Sequence, residues 1–242
     1  MAPLRLRLRA MLALLVALAV AMPAVTASAQ TPAAATPASV GVLSQIGGPL
    51  TSVAALGGEI YAAVGPRLLV FAAADPAHLV PIGQSALLPA DAQRVVVARR
   101  IAFVSYAAVR IGAAPGVALL GVSDPANPTL LSTVALAGAG AVGPLAVADG
   151  ILAIAFDSYG SPSGGSLRFY AVADPQQPSL VGTYSTGESA PTVLAMAGPL
   201  VLYANNTTLH VLDISRPAQP RLVGRYATPP APPNTGRTIS GL

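Results

Sequence analysis

The chain contains no Cys, no Trp and no Lys, and only 9% of its residues are charged. Without Cys it has no disulfides and no Cys-linked lipid anchor, so packing alone must hold the fold together. Arg supplies all of the basic charge. The group formed by Arg94, Arg99 and Arg100 is too sparse for the basic stripe of a nucleic-acid-binding protein. A nucleic-acid partner is therefore not expected.

Residues 1–29 have the pattern of a secretory signal peptide. The basic residues at its start are Arg5, Arg7 and Arg9. An uninterrupted apolar run follows at 10–20, and an A-x-A site ends at Ala29, before Gln30. A retained anchor is the alternative, but a membrane span needs about 20 apolar residues. Cleavage is therefore predicted, with no span in the mature chain, which would be periplasmic, cell-surface or secreted. Residues 30–38, rich in Ala, Thr and Pro, are predicted to be a flexible leader.

One outline of about 50 residues recurs four times in the rest of the chain. Its third segment ends in a turn at 68–76, 117–125, 167–175 and 209–217. A fourth segment follows at Val80–Ser85, Leu130–Val134, Leu180–Tyr184 and Leu222–Tyr226. Each unit holds four short apolar runs bounded by Gly, Pro or Asp, which is typical of strands rather than helices. Four strands per unit predict an all-β fold, a β-propeller of four-stranded antiparallel blades.

The fourth unit carries a more specific resemblance. Its residues 209–226 (LHVLDISRPAQPRLVGRY) resemble the LVIVD repeat, and residues 174–184 of the third unit (DPQQPSLVGTY) support the match. The first unit diverges most, with Leu79 where the others place a second proline, and the fourth has Arg216 in place of Asp. The resemblance implies a propeller in a periplasmic or cell-surface setting, and no common chemistry.

The repeats are predicted to occupy 39–228, followed by a Pro-rich tail at 229–242. Residues 37–44 resemble an outer strand, and 238–242 resemble the start of a further unit. These two segments suggest four full repeats plus a partial one, and so a fragment of a larger propeller. A four-bladed propeller is the alternative.

Three of the four repeated turns begin with Asp followed by Pro, a pair that favours turns because Asp bonds its own backbone. The residues interpreted as structural turns are Asp75, Pro76, Asp124, Pro125, Asp174, Pro175 and Pro217. The only histidines, His78 in a turn and His210 in a strand, are at non-equivalent positions, which argues against a zinc or Ser-His-Asp site. No catalytic, metal-binding or cofactor-binding residue is therefore expected.

Two links between second and third strands are longer than the others, at 107–116 and 157–165. Insertions in repeat proteins often map to the binding face, although tolerated surface loops are the alternative. The candidate binding-face residues are Arg110, Asp157, Tyr159, Tyr184 and Glu188. The predicted function is a non-catalytic module that binds a protein or a cell-envelope glycan without a cofactor. The alternatives are a propeller hydrolase or lyase, and a structural repeat of a larger surface-layer or adhesin protein.

Overall fold

A computed structural model describes residues 48–75, 77–107, 114–158, 164–205 and 207–229. All regular secondary structure in these ranges is β-strand. The predicted signal peptide, the leader and the tail beyond residue 229 lie outside the described residues. Those predictions stay as they are. In the described ranges, no helix is long and apolar enough to cross a bilayer.

The described residues form sixteen strands in four sheets of four. Blade 1 contains β1 (Leu50–Leu56), β2 (Glu59–Val64), β3 (Arg67–Ala72) and β4 (Val80–Gln84). Blade 2 contains β5 (Asp91–Ala98), β6 (Ile101–Ala107), β7 (Gly116–Gly121) and β8 (Thr129–Ala135). Blade 3 contains β9 (Ala139–Ala148), β10 (Ile151–Ser158), β11 (Gly165–Ala171) and β12 (Ser179–Ser185). Blade 4 contains β13 (Val193–Ala197), β14 (Leu200–Asn205), β15 (Thr208–Asp213) and β16 (Arg221–Ala227).

In every blade the strands pair antiparallel and in chain order. The predicted all-β propeller of four-stranded blades is confirmed. The first strands contact one another in series, β1 with β5, β5 with β9 and β9 with β13. Successive blades therefore stack in the order of the chain.

In blades 1 to 3 the turns between first and second strands have positive φ at both central residues, which Gly accepts without strain. Gly57–Gly58 and Asp149–Gly150 supply this conformation in blades 1 and 3. Blade 2 instead holds Arg99 at φ 50° and Arg100 at φ 62°. A left-handed conformation costs a residue with a Cβ about 1–2 kcal/mol. This turn therefore stores strain that a glycine would remove.

Three apolar clusters fill the spaces between successive blades. Tyr61 and Leu120 belong to the cluster between blades 1 and 2, and Phe103 and Ile154 to the next one. Tyr203 of blade 4 packs with blade 3 in the third cluster. All five side chains are at most 1% exposed, and each contributes about 1.5–3 kcal/mol by leaving water. Stacking of the blades therefore supplies the core of the protein.

A second contact fixes the spacing of the blades, because the middle of each outer strand meets the turn of the next blade. The three pairs are Gly83 with Pro125, Ser132 with Pro175 and Gly182 with Pro217. A Cβ on Gly182 would overlap the carbonyl oxygen of Pro217. Ser132 uses the same position to donate a hydrogen bond from its Oγ to the carbonyl of Pro175, at 2.6 Å. The turns that follow the third strands therefore also join neighbouring blades.

The Asp residues of these turns bond the backbone two residues ahead. Asp124 Oδ1 accepts a hydrogen bond from the Ala126 N–H at 3.0 Å, and the matching bonds of Asp75 and Asp174 measure 3.0 and 2.9 Å. Hydrogen bonds from Asn127 and from the Ala126 backbone hold the pKa of Asp124 below its usual value. Pro76 lies outside the described residues. This geometry is that of Asx turns.

Candidate active site

A row of four side chains crosses blade 4 on the face that packs against blade 3. Direct pairing links Leu194 with Tyr203, Tyr203 with His210, and His210 with Arg225. Residues directly opposite one another in antiparallel strands share a face. Tyr203 belongs to the cluster between blades 3 and 4. The row therefore faces blade 3, with its histidine buried in that junction and its arginine exposed at the outer end of the row.

His210 is the most unusual member of the row. Only 5% of the residue is exposed, and its ring stacks on Tyr203 with centroids 4.6 Å apart and planes 4° from parallel. Among the described residues, neither Nδ1 nor Nε2 has a hydrogen-bond partner, although both atoms are buried. Buried polar atoms are nearly always paired, so an unpaired imidazole calls for an explanation such as a catalytic role.

The charge state of His210 follows from its surroundings. Burial lowers the pKa of His210, and the positive charge of Arg225 lowers it further, while the carboxylate of Glu188 opposes both effects. The net shift is downward from 6.5. The imidazole is therefore neutral at neutral pH, the form that accepts a proton.

Glu188 lies in the link between blades 3 and 4, and its Oε2 is 4.0 Å from Nε2 of His210. The Nδ2 of Asn205 donates hydrogen bonds to Glu188 Oε2 at 3.2 Å and to the carbonyl of Ser189 at 3.0 Å. The Glu188 side chain is half exposed, whereas that of His210 is only 7% exposed. In the Glu188–His210 pair the carboxylate is therefore partly in solvent and the imidazole is inside the junction. The hydrogen bond from Asn205 holds the Glu188 carboxylate in place.

Two tyrosines complete the site. The rings of Tyr184 and Tyr203 are tilted by 58° with centroids 6.3 Å apart. Burial raises the pKa of Tyr203, and a hydrogen bond with Tyr184 adds to the effect. The Tyr203 hydroxyl therefore keeps its proton at neutral pH, where the imidazole of His210 is neutral.

The predicted binding-face residues fall into three groups. Tyr184 and Glu188 lie in the site, and Asp157 lies beside it, where its Oδ1 accepts a hydrogen bond from the Ala190 N–H at 3.2 Å. Arg110 and Tyr159 lie outside the described residues. The sequence reasoning missed His210, Tyr203 and Asn205. His210 lies at the third-strand position that an apolar residue, Leu69, occupies in blade 1. A polar residue at this position is the one sequence signal that could have pointed to His210.

Stacked, up-and-down, four-stranded blades define a β-propeller protein. Within that class, residues 203–228 match the LVIVD repeat, so the resemblance expected from the sequence is confirmed. The match covers most of blade 4, the blade that carries His210.

No curated protein matches the chain in sequence. A solved protein of Lactobacillus plantarum is 15% identical, with 75% of this chain and 57% of that one covered and a TM-score of 0.56. A candidate 6-phosphogluconolactonase of Bacteroides uniformis is 13% identical, with 74% and 55% covered and a TM-score of 0.59. The periplasmic gluconolactonase of Pseudomonas aeruginosa is 19% identical, with 73% and 57% covered and a TM-score of 0.50. The chain thus spans little more than half the length of these three structures, and what it shares with them is the fold.

These findings correct the functional prediction from sequence. A non-catalytic binding module, and the absence of enzyme activity, were expected because no pair of catalytic residues is visible along the chain. The fold is shared with proteins named as lactonases, and blade stacking brings His210 to Glu188, 22 positions earlier in the sequence. The expectation of a non-catalytic protein was wrong.

Proposed function

We propose that the protein hydrolyses a cyclic ester at the junction of blades 3 and 4, with His210 as the general base. The observation that carries this proposal is the buried, neutral imidazole whose two nitrogens are unpaired beside the Glu188 carboxylate. The lactonases among the solved proteins of the same fold support the choice of substrate class. Because a fold does not determine a reaction, the proposal rests on the site.

The 4.0 Å gap between Glu188 Oε2 and His210 Nε2 is too long for a direct hydrogen bond. In the proposed reaction one water molecule bridges the two atoms at about 2.8 Å from each. Because Nε2 is buried, the half-exposed Glu188 side chain must move aside to admit this water and the substrate. His210 takes a proton from this water as its oxygen attacks the lactone carbonyl carbon. The bond from that carbon to the ring oxygen then breaks, and the imidazolium returns the proton to the leaving alkoxide, giving an open-chain hydroxy acid. Glu188 orients the water and stabilises the transient imidazolium.

Arg225 suits the recognition of an anionic substrate. It is exposed, pairs directly with His210 across β15 and β16, and carries a charge that acts on the imidazole. Guanidinium binds carboxylate and phosphate through paired hydrogen bonds. The preferred substrate is therefore a lactone with an acidic substituent.

The same proposal includes export to the periplasm or cell surface. The signal-like sequence at 1–29, the LVIVD repeat and the fold shared with a periplasmic gluconolactonase support it. Fractionation of the native host, with the N-terminus of the protein determined, tests this part. A protein found in the cytoplasm with Met1 retained would contradict it.

Hydrolysis of glucono-δ-lactone and its 6-phosphate by the full chain, followed by proton release, tests the catalytic proposal. His210→Gln should lower kcat by about 10²–10⁴-fold. His78→Gln should leave kcat unchanged, because His78 is exposed and its Nδ1 pairs with Asp75, at 2.7 Å, in a turn of blade 1. A wild-type rate no higher than spontaneous hydrolysis, or an unchanged rate in a folded His210→Gln variant, would refute the proposal.

Arg225→Gln separates substrate recognition from chemistry. It should raise KM for the phosphorylated lactone by about tenfold, about 1.4 kcal/mol of binding, with little change in kcat. The KM for the uncharged lactone should stay the same. An equal change in KM for both substrates would contradict the role given to Arg225.

A further inference from the structure

A cleft of about 390 Å³ lies between the hairpin turns of blades 2 and 3. It is lined by the ring of Phe103, which is 1% exposed, and by Val172, which is 4% exposed. Ala98 and Ile101 of blade 2 and Val147 of blade 3 complete its apolar wall. Small-molecule sites have this size and this largely apolar lining, with a few polar groups that orient the ligand. The cleft therefore has the dimensions of a ligand site.

The cleft is separate from the site of His210. It lies beside the turns that join first and second strands, whereas Glu188 lies in the link between the outer strand of blade 3 and the first strand of blade 4. Because the strands of a blade are antiparallel, these two kinds of connection are at opposite ends of the strands. The two sites are therefore in different junctions and at different ends.

In the preceding junction, between blades 1 and 2, side chains of the protein itself fill the matching place. Glu59 opens β2, as Ile101 opens β6. The Glu59 carboxylate accepts a hydrogen bond from the Tyr61 hydroxyl at 3.2 Å and pairs with Arg100 of blade 2 at 3.5 Å. Only 16% of the Glu59 side chain is exposed. That junction thus holds a carboxylate beside its apolar cluster, paired with an arginine of a hairpin turn.

Between blades 2 and 3 the same positions carry smaller or apolar residues. The replacements are Leu56 by Ala98, Glu59 by Ile101, Tyr61 by Phe103 and Arg100 by Gly150. These four positions of the second junction hold no carboxylate and no hydroxyl, and all four replacement residues line the cleft. The cleft therefore lies where the first junction holds its own carboxylate.

Arg99 supplies a positive charge at the rim of the cleft. It lines the cleft, is exposed, and forms no ion pair within the part of the chain that the structure describes. The carboxylate of Asp149, also at the rim, is turned toward blade 4, because its Oδ2 is 3.9 Å from the place of a Cβ on Gly198. Arg99 keeps a φ of 50°, and strained residues of this kind cluster at ligand-binding positions.

We propose that the cleft binds a small organic anion with an apolar body, of the class of medium-chain carboxylates. The apolar chain of the ligand lies against Phe103 and Val172. Its carboxylate accepts paired hydrogen bonds from the Arg99 guanidinium at the rim. The ligand then supplies to this junction the carboxylate that Glu59 supplies to the preceding one.

The test is isothermal titration calorimetry of the full chain with octanoate, with 1-octanol as the uncharged probe and octylamine as the cationic one. Octanoate should bind one-to-one with a Kd below about 1 mM. It should bind at least about tenfold more tightly than 1-octanol, because only the carboxylate pairs with Arg99. Absence of saturable octanoate binding, equal affinity for octanoate and 1-octanol, or tighter binding of octylamine would each overturn the proposal.

Three variants locate the binding. Arg99→Gln should raise the Kd for octanoate by at least about tenfold. Arg100→Gln is the matched control, with the same loss of charge from the same turn, and should change the Kd by less than about twofold because Arg100 pairs with Glu59 in the other junction. Arg225→Gln should bind octanoate like wild type, because Arg225 belongs to the site of His210. Equal losses in Arg99→Gln and Arg100→Gln, or a loss in Arg225→Gln, would place the ligand elsewhere and refute the assignment.

Ala98→Leu tests the cleft itself, because it introduces the residue that blade 1 has at this position, Leu56. The added side chain should fill part of the cleft and weaken octanoate binding by at least about tenfold, while the circular dichroism spectrum and the Tm stay at wild-type values or the Tm rises. A folded Ala98→Leu variant that binds octanoate as wild type does would contradict the proposal.

Discussion

Gly182→Ala tests whether backbone contact, rather than side-chain packing, sets the spacing of the blades. The added Cβ would overlap the Pro217 carbonyl oxygen and lie 2.6 Å from its carbon and 3.3 Å from the nitrogen of Ala218. All three atoms are backbone, so no side-chain rotation relieves the clash. The turn of blade 4 must move away from blade 3.

The magnitude follows from two opposing effects. Overpacking a well-packed site costs about 1–3 kcal/mol, and replacing a strand glycine with alanine returns about 0.5–1 kcal/mol. We expect a net loss of about 1–2 kcal/mol in the free energy of unfolding. For a protein of this size the loss corresponds to a fall in Tm of about 2–8 °C.

Urea unfolding followed by far-UV circular dichroism, at one fixed protein concentration, measures the effect. Gly121→Ala is the matched control, since its neighbours are the Thr129 hydroxyl at 3.2 Å and Leu131 methyl groups from 3.4 Å. It should keep or raise stability, by at most about 1 kcal/mol, because the gain from replacing a strand glycine is opposed only by contact with side-chain atoms. Equal effects of the two substitutions would refute the idea of a backbone stop between blades.

Three further outcomes follow from the described residues. Because the pKa of His210 is lowered on folding, the unfolded chain binds more protons than the folded one below about pH 6.5, and stability should fall as the pH drops below that value. His210→Phe should remove this contribution. If the variant shows the same dependence of unfolding free energy on pH between about pH 7.5 and pH 5 in urea titrations, the assignment is contradicted. Replacing Arg99 by Asn and Arg100 by Gly together should raise the free energy of unfolding by about 1–2 kcal/mol, because both residues hold a positive φ that Asn-Gly accepts; a lower urea midpoint would show that the turn is not strained. Phe169→Ala should lower the free energy of unfolding by about 3–5 kcal/mol, because this side chain is fully buried between blades 3 and 4. A loss below about 1 kcal/mol in the same assay would mean that the neighbouring side chains close the cavity.

Most of the fold is predictable from the repeat. The predicted outer strands, such as Leu180–Tyr184 for β12, differ from the observed ones by at most one residue at either end. For the first strand of blade 3 the sequence offers only a short apolar run at 145–148, whereas β9 begins at Ala139. Its first half is rich in Gly and Ala and contains Pro144, so local propensity disfavours a strand there. Pairing with the long β10 across two irregularities holds it in place.

The candidate site was only half predictable. Tyr184 and Glu188 were proposed from the long links around them, and they do lie in the site. His210 was not predicted to have a role, because the two histidines of the chain lie at non-equivalent positions of the repeat. Its partner is in the preceding link, at 4.0 Å, and only the stacking of blade 4 on blade 3 creates that proximity. Contacts between blades depend on tertiary packing, which a single sequence does not encode in any local pattern.

Strand pairing among the described residues is local, since each ladder there joins consecutive strands of one blade. Free energy in such arrays is a sum of the stability of each unit and its contact with the next, so opening is easiest where a unit has one neighbour. Among the described blades, blade 4 is such a unit, and it holds His210, Tyr203 and Asn205. Amide hydrogens of β13–β16 should therefore exchange ahead of those of β5–β12. Heat should then disperse the His210–Glu188 pair before it unfolds the two inner blades.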